Sequence, residues 1–374
     1  MVGGSPPIRK VSAASARAHT RRSDKRSFNS PAGLLLRLVA VSLIGVLAWF
    51  YKAIQPPPPN IPGSSFGPPI TAPRVKLRDG RHLAYKEHGV PKDKAKFTVV
   101  FIHSFNSSSH HVVTPSEEVM DDLAIYMVSF DRPGYGQSDP DPKRTAKSIA
   151  LDVHELADKL ELGTKFYMVG HSMGGQIAWG FLKHIPHRLA GAALLAPVIN
   201  YWWPNIPSDL STEAFNQRHP VDRWEHRVAH YTPRLFYWWK TQKLFPSSVP
   251  PMQNFSPADR QLLSKLPFTI DNRAEATLQG EFESVHRDLL IGFSATGFDP
   301  LDLDDPFPDN QGSIHVWQGD EDLLVPVTVQ RHIVRKLPWI RYHEIPGAGH
   351  LFPHADGMAD TIFRELLVGG ETAT

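Results

Sequence analysis

The sequence predicts an α/β fold built on an eight-stranded, mostly parallel sheet with helices on both faces. From about residue 73 onward, short β-rich runs alternate with helix-like segments, which is the rhythm of βαβ units. The run Ala192-Ala193-Leu194-Leu195-Ala196 is apolar throughout, as a central strand covered on both faces requires. With 374 residues, 41% hydrophobic and 21% charged, the chain can bury a large core in one such domain plus an insertion. A net charge of +2 gives no strong field and no case for a nucleic-acid partner.

Taken in order, residues 1–31 carry seven Lys/Arg against one acid, Asp24, and imply no fold. Residues 32–54 are expected to form a transmembrane helix. The run from Ala32 to Tyr51 is apolar apart from Arg37, Ser42 and two glycines, close to the ~20 residues a span needs. Arg37 can snorkel to the basic end, and Trp49, Phe50 and Tyr51 suit the other interface. Residues 55–72, opening with Gln55 and four prolines, read as a stiff spacer. The positive-inside bias puts residues 1–31 in the cytosol and the remainder on the lumenal side. The alternative is a chloroplast or mitochondrial transit peptide, since the lead is Arg- and Ser-rich and acid-poor.

The globular domain is expected over 73–368, with a tail at 369–374. Strands are expected near 74–79, 82–88, 97–103, 124–130, 165–170, 192–198, 313–318 and 340–345, and helices near 145–161, 173–184, 327–336 and 356–367. Between about 200 and 305 the rhythm breaks, and five of the nine tryptophans lie there: Trp202, Trp203, Trp224, Trp238 and Trp239.

Gly170-His171-Ser172-Met173-Gly174 spells G-x-S-x-G between a strand-like and a helix-like run. A serine hydroxyl is a weak nucleophile unless a base lies within hydrogen-bond reach, and a tight strand-to-helix turn exposes it beside a helix N-terminus. An acid and then a histidine are required downstream. The loop after the seventh strand offers three carboxylates, Asp320, Glu321 and Asp322. Among 19 histidines, His350 alone sits in a Gly-rich turn after the last strand, and its ordinary pKa near 6.5 suits a general base.

The order serine, acid, histidine resembles that of the α/β-hydrolase superfamily, and the likeness extends over about residues 73 to 368. Asp131-Arg132-Pro133-Gly134-Tyr135-Gly136-Gln137-Ser138 is similar to the D-x-P-G-x-G-x-S turn of many members, and Phe97 to His103 to the strand before their oxyanion loop. The resemblance implies Ser172 as nucleophile, His350 as base and Asp322 as acid, with Asp320 as the alternative. It implies backbone N–H groups of Phe105 and Met173 as the oxyanion hole. Ser104 stands where the family usually has glycine, so a positive φ there would carry strain. His103 reads as structural. The resemblance also places the 200–305 insertion over Ser172 as a cap, with Trp202, Trp203, Trp238 and Trp239 as candidate substrate contacts.

A serine at the elbow argues against epoxide hydrolase and dehalogenase chemistry, whose relatives use aspartate there. The expected activity is cleavage of carboxylic esters of apolar or lipid substrates, with thioesterase, amidase or a catalytically silent ligand receptor as alternatives. Neither a metal nor another cofactor is expected, given no cysteines and no H-E-x-x-H run. Asn106 and Asn254 head N-glycosylation sequons.

Overall fold

The computed structural model describes residue 3 and residues 31–248, 251–265, 274–295 and 298–369. The basic segment 1–31 and the tail after Gly369 therefore lie almost wholly outside the described residues. The chain divides into two units, Met1–Ala53 and Ile54–Thr374.

In the first unit and across its boundary, helix α1 (Pro31–Ile54) has a mean hydropathy of 2.2 and no buried residue. By length and composition it can cross a membrane, although a signal sequence passes the same test.

The second unit holds strands β1 (Arg74–Lys76), β2 (His82–Gly89), β3 (Phe97–Ile102), β4 (Ile125–Phe130), β5 (Phe166–His171), β6 (Leu189–Leu195), β7 (Ile314–Gly319) and β8 (Ile340–Ile345). They form one eight-stranded sheet in the order β1-β2-β4-β3-β5-β6-β7-β8. The β1–β2 and β2–β4 pairs are antiparallel and all later pairs parallel. Alternate residues feed two cores. Val100, Ile102, Met168 and Leu194 face helices α3 (Ala146–Lys159), α4 (Met173–His184) and α10 (Val327–Lys336), while Val99, Phe101, Val169 and Leu195 face α2 (Glu117–Asp122) and α11 (Met358–Val368). Helix α4 is buried from Met173 to Leu182, as an inner helix with apolar residues around its whole circumference must be.

Most strand expectations agree to within a residue or two. β6 begins earlier and ends at Leu195, because the chain leaves the sheet at Ala196, φ 44°, ahead of Pro197. β1 is shorter than expected. Between β6 and β7 the insertion contributes α5 (Ser208–Gln217), α6 (Pro220–Tyr231), α7 (Phe236–Thr241), α8 (Pro257–Leu263), a π-helical turn (Phe282–His286) and α9 (Arg287–Phe293). The spacer is not free along its whole length. Asn60 N–H donates to Gln279 C=O at 3.2 Å, and Thr71 and Ala72 N–H donate to Gln137 Oε1 at 2.7 and 3.0 Å.

Burial keeps many histidines neutral. It pushes His88 and His354 down to about 4 and His286 and His315 to about 3, and it holds His103, His171 and His226 well below 6.5. The unfolded chain therefore binds more protons than the native chain between pH 6.5 and 4, so stability rises with pH in that window. Thermal unfolding of residues 60–374 should fall by several degrees between pH 7 and pH 5, above the range where carboxylates titrate. A melting temperature that is flat or higher at pH 5 would contradict this.

Candidate active site

The parallel strands end on one edge, and the residues of interest follow those ends: His103 to Phe105 after β3, Ser172 after β5, Asp322 after β7 and His350 after β8. Ser172 alone separates β5 from α4 and turns the chain at φ 56°, ψ −115°. Such a backbone conformation costs a residue with a side chain ~1–3 kcal/mol. Its N–H donates to Leu195 C=O at 2.8 Å, and its C=O accepts from Gln176 and Val198 N–H at 3.0 and 3.1 Å. The glycines allow the approach: a Cβ on Gly174 would meet Ile102 O at 2.2 Å, and one on Gly170 would meet Gly174 O at 2.6 Å.

His350 Nε2 lies 2.8 Å from Ser172 Oγ, and His350 Nδ1 lies 2.7 Å from Asp322 Oδ2. All three residues are buried. Asp322 accepts further bonds from Gln318 Nε2 at 2.9 Å and from Leu324 and Val325 N–H at 2.8 and 2.9 Å. Bonded to a carboxylate oxygen, Nδ1 of His350 is the donor nitrogen, which leaves Nε2 to accept from the serine. Asp320 sits differently. Its Oδ1 accepts Gly347 N–H at 2.7 Å, which pins the turn after β8.

Phe105 and Met173 both line the cavity that contains Ser172, and Met173 opens α4, so its N–H belongs to the unsatisfied first turn. Ser104 does not adopt a positive φ, so its side chain adds no such strain; the loop's positive φ is at Asn106, φ 52°, where asparagine tolerates it. Ser104 C=O accepts from His103 Nδ1 at 2.8 Å and from Arg132 Nη2 at 3.1 Å, while His103 Nε2 accepts Arg132 N–H at 3.1 Å. With both ring nitrogens committed and burial opposing its charge, His103 is a neutral strut of the loop.

The Asp131 turn braces the same region. Its carboxylate accepts Ser109 and Gln137 N–H at 2.8 and 3.0 Å, and a Cβ on Gly136 would meet it at 2.1 Å. Beyond the turn lies a buried cluster. Asp288 of α9 accepts from Arg132 Nη1 at 2.7 Å, Arg144 Nη2 at 3.1 Å and Tyr135 Oη at 2.6 Å. Burial alone would raise the Asp288 carboxyl, but the two arginines hold it below the usual carboxylate range.

A sequence model of the alpha/beta hydrolase family matches residues 99–364. The chain belongs to that family. Among curated relatives, the probable lysophospholipase BODYGUARD 2 of Arabidopsis thaliana is 24% identical over 278 residues, 70% of this chain and 56% of that protein. The dihydrolipoyllysine-residue acetyltransferase component of an acetoin cleaving system from Cupriavidus necator is 31% identical over 121 residues, 32% of this chain and 30% of that protein. The matches thus span about a third to a half of those relatives' lengths. A thermophilic esterase from Thermogutta terrifontis superposes with a TM-score of 0.52 at 21% identity, covering 79% of this chain and 98% of that one. The enol-lactonase of Burkholderia xenovorans gives 0.53 at 17% identity, covering 80% and 100%. At such identities these two structures speak to fold.

In this family member the cavity at Ser172 has a volume of about 690 Å³ and draws on both the sheet edge and the insertion. One part of its lining is apolar, with Val198, Ile199, Val285, Leu289 and Phe293. Another carries two ion pairs, Arg218–Asp222 at 2.6 Å and Lys240–Glu225. Trp202, Trp203, Trp238 and Trp239, expected as substrate contacts, are not among the described lining residues. Trp202 stacks on His230 at 4.2 Å and donates to Tyr231 Oη at 3.0 Å, Trp203 is buried in the core, and Trp239 stacks on Phe245 at 6.4 Å. Tyr201 and Phe293 take the lining positions instead. Both sequon asparagines, Asn106 and Asn254, line the cavity too, where a glycan would compete with a ligand.

Sequence reading missed Gln318 beneath Asp322, Asp288 beneath the oxyanion loop, and Arg218, whose Nη1 donates to Leu324 C=O at 3.0 Å beside the acid. None carries a motif. Asp259 alone left a signal, as the last residue of a Ser-x-x-Asp cap.

Proposed function

We propose that this chain is a membrane-anchored serine hydrolase that cleaves carboxylic esters. The observation that carries the reading is the unbroken hydrogen-bonded line from Asp322 through His350 to Ser172, at 2.7 and 2.8 Å, ending in a cavity. Ser172 Oγ attacks the ester carbonyl while His350 Nε2 takes its proton, and Asp322 stabilises the resulting imidazolium. The N–H groups of Phe105 and Met173 hold the oxyanion. His350 then protonates the leaving alkoxide, and water, activated by the same imidazole, releases the acid. Thioesters and amides would use the same machinery.

The mixed apolar and charged lining favours an ester with an apolar acyl part and a polar remainder, and the Arabidopsis relative's name is in keeping with that. The insertion acts as the cap of this site. α1 serves as the anchor, with residues 1–31 cytosolic and the hydrolase lumenal, in keeping with the charge asymmetry.

Ser172→Ala, His350→Ala and Asp322→Asn should each lower kcat on a soluble ester by about three orders of magnitude or more while unfolding normally, and combinations should lose little beyond the worst single change. Normal turnover by Asp322→Asn alongside inactive Asp320→Asn would move the acid by two residues. Full-length protein should stay with the membrane pellet through carbonate washing, whereas residues 60–374 should be soluble. Carbonate release of the full-length chain would point to a removed targeting segment.

A further inference from the structure

His350 does not belong to a helix or strand. It follows the turn Pro346-Gly347-Ala348-Gly349, in which Gly347 has φ 68°, so the sheet alone does not fix its backbone. On the sheet side that turn is held by Asp320 through Gly347 N–H and by Glu321 N–H to Ala348 C=O at 3.0 Å. His171 Nε2, at the end of β5, lies 3.3 Å from His350 C=O, and the insertion adds two further bonds. Asp259 Oδ2 accepts His350 N–H at 3.0 Å, and Asp259 Oδ1 accepts Leu351 N–H at 2.7 Å.

Asp259 is the third residue of α8, where a capping-box carboxylate ordinarily reaches back only to the N-cap N–H. Here it makes that bond, to Ser256 N–H at 3.1 Å, and also accepts Ser256 Oγ–H at 3.0 Å. Its four donors are thus three backbone N–H groups and a hydroxyl, and its exposure is 0%. The contact is close on the loop side as well. A Cβ on Gly349 would stand 2.2 Å from Asp259 Oδ2 and 2.3 Å from Ser256 Oγ, so only glycine admits the approach.

We infer that Asp259 is a positioning residue for the proposed hydrolysis, holding the backbone of His350 so that its ring meets Ser172 and Asp322 at once. The insertion then helps to assemble the site as well as enclose it. One consequence separates this from a purely structural role. Turnover depends on the placement of Nε2 in the transition state, whereas ground-state binding in the cavity does not, so loss of the carboxylate lowers kcat and leaves KM nearly unchanged.

This rests on the hydrolase reading, and the test keeps the two apart. Full-length protein, its Asp259→Asn variant and its Gly349→Ala variant are assayed on a chromogenic ester from pH 5 to 9, with circular dichroism to report the fold. Asp259→Asn is expected to lose about 10²-fold in kcat with KM within about twofold. Gly349→Ala presses the same contact apart from the other side with Asp259 intact, and is expected to lose kcat likewise, so it decides the matter if Asp259→Asn does not fold. An inactive parent protein would overturn the hydrolase reading. An active parent whose folded variants keep its kcat would overturn the role of Asp259.

Discussion

Ser172 is held at φ 56°, ψ −115° on the single residue between a strand and a helix. A chain relaxes out of such a conformation unless its surroundings over-determine it. Much of the molecule on that edge of the sheet serves this constraint. β6 delivers Leu195 C=O to the serine N–H, and β3 ends close enough to Gly174 that no side chain fits between. The strain is thus maintained by the parallel core, whose two apolar faces are covered by helices and resist deformation. The hydroxyl is presented where three other strand ends converge.

Convergence alone would not align the groups, because each follows its strand on a loop. Asp322 is fixed from within its own loop by Leu324 and Val325 N–H and from β7 by Gln318. Long-range ties from the insertion do the remainder. Arg218 bonds the carbonyl of Leu324 beside the acid, Asp259 bonds the amides at His350 and Leu351, and Asp288 reaches Ser104 through Arg132. The Asp259 and Asp288 ties are buried, where an unmet partner is costly, so the arrangement is specific as well as firm.

The sequence made the repetitive parts of this molecule legible. β3 and β8 were readable because β-rich runs stop at His or Pro-Gly turns, and α4 and α10 because their apolar spacing is helical. Ser172 and His350 stood out because an elbow and a Gly-rich turn have compositions of their own. The insertion was illegible for a physical reason. Packing of a tryptophan against protein and packing against a ligand have the same composition, and only the fold shows Trp202 against His230 and Trp239 against Phe245. Arg218 and Asp288 were invisible because their partners lie 106 and 156 residues away, and the cap signal at Asp259 said nothing of its partner 91 residues on.

The central claim is that Ser172 is a nucleophile armed by His350. Covalent reaction of the folded full-length protein with a fluorophosphonate probe, located by peptide mass spectrometry, tests it without knowledge of the natural substrate. The account predicts a single adduct on Ser172, formed much more slowly when His350 is replaced by alanine. A folded protein that resists the probe, or that carries the adduct on another serine, would contradict it.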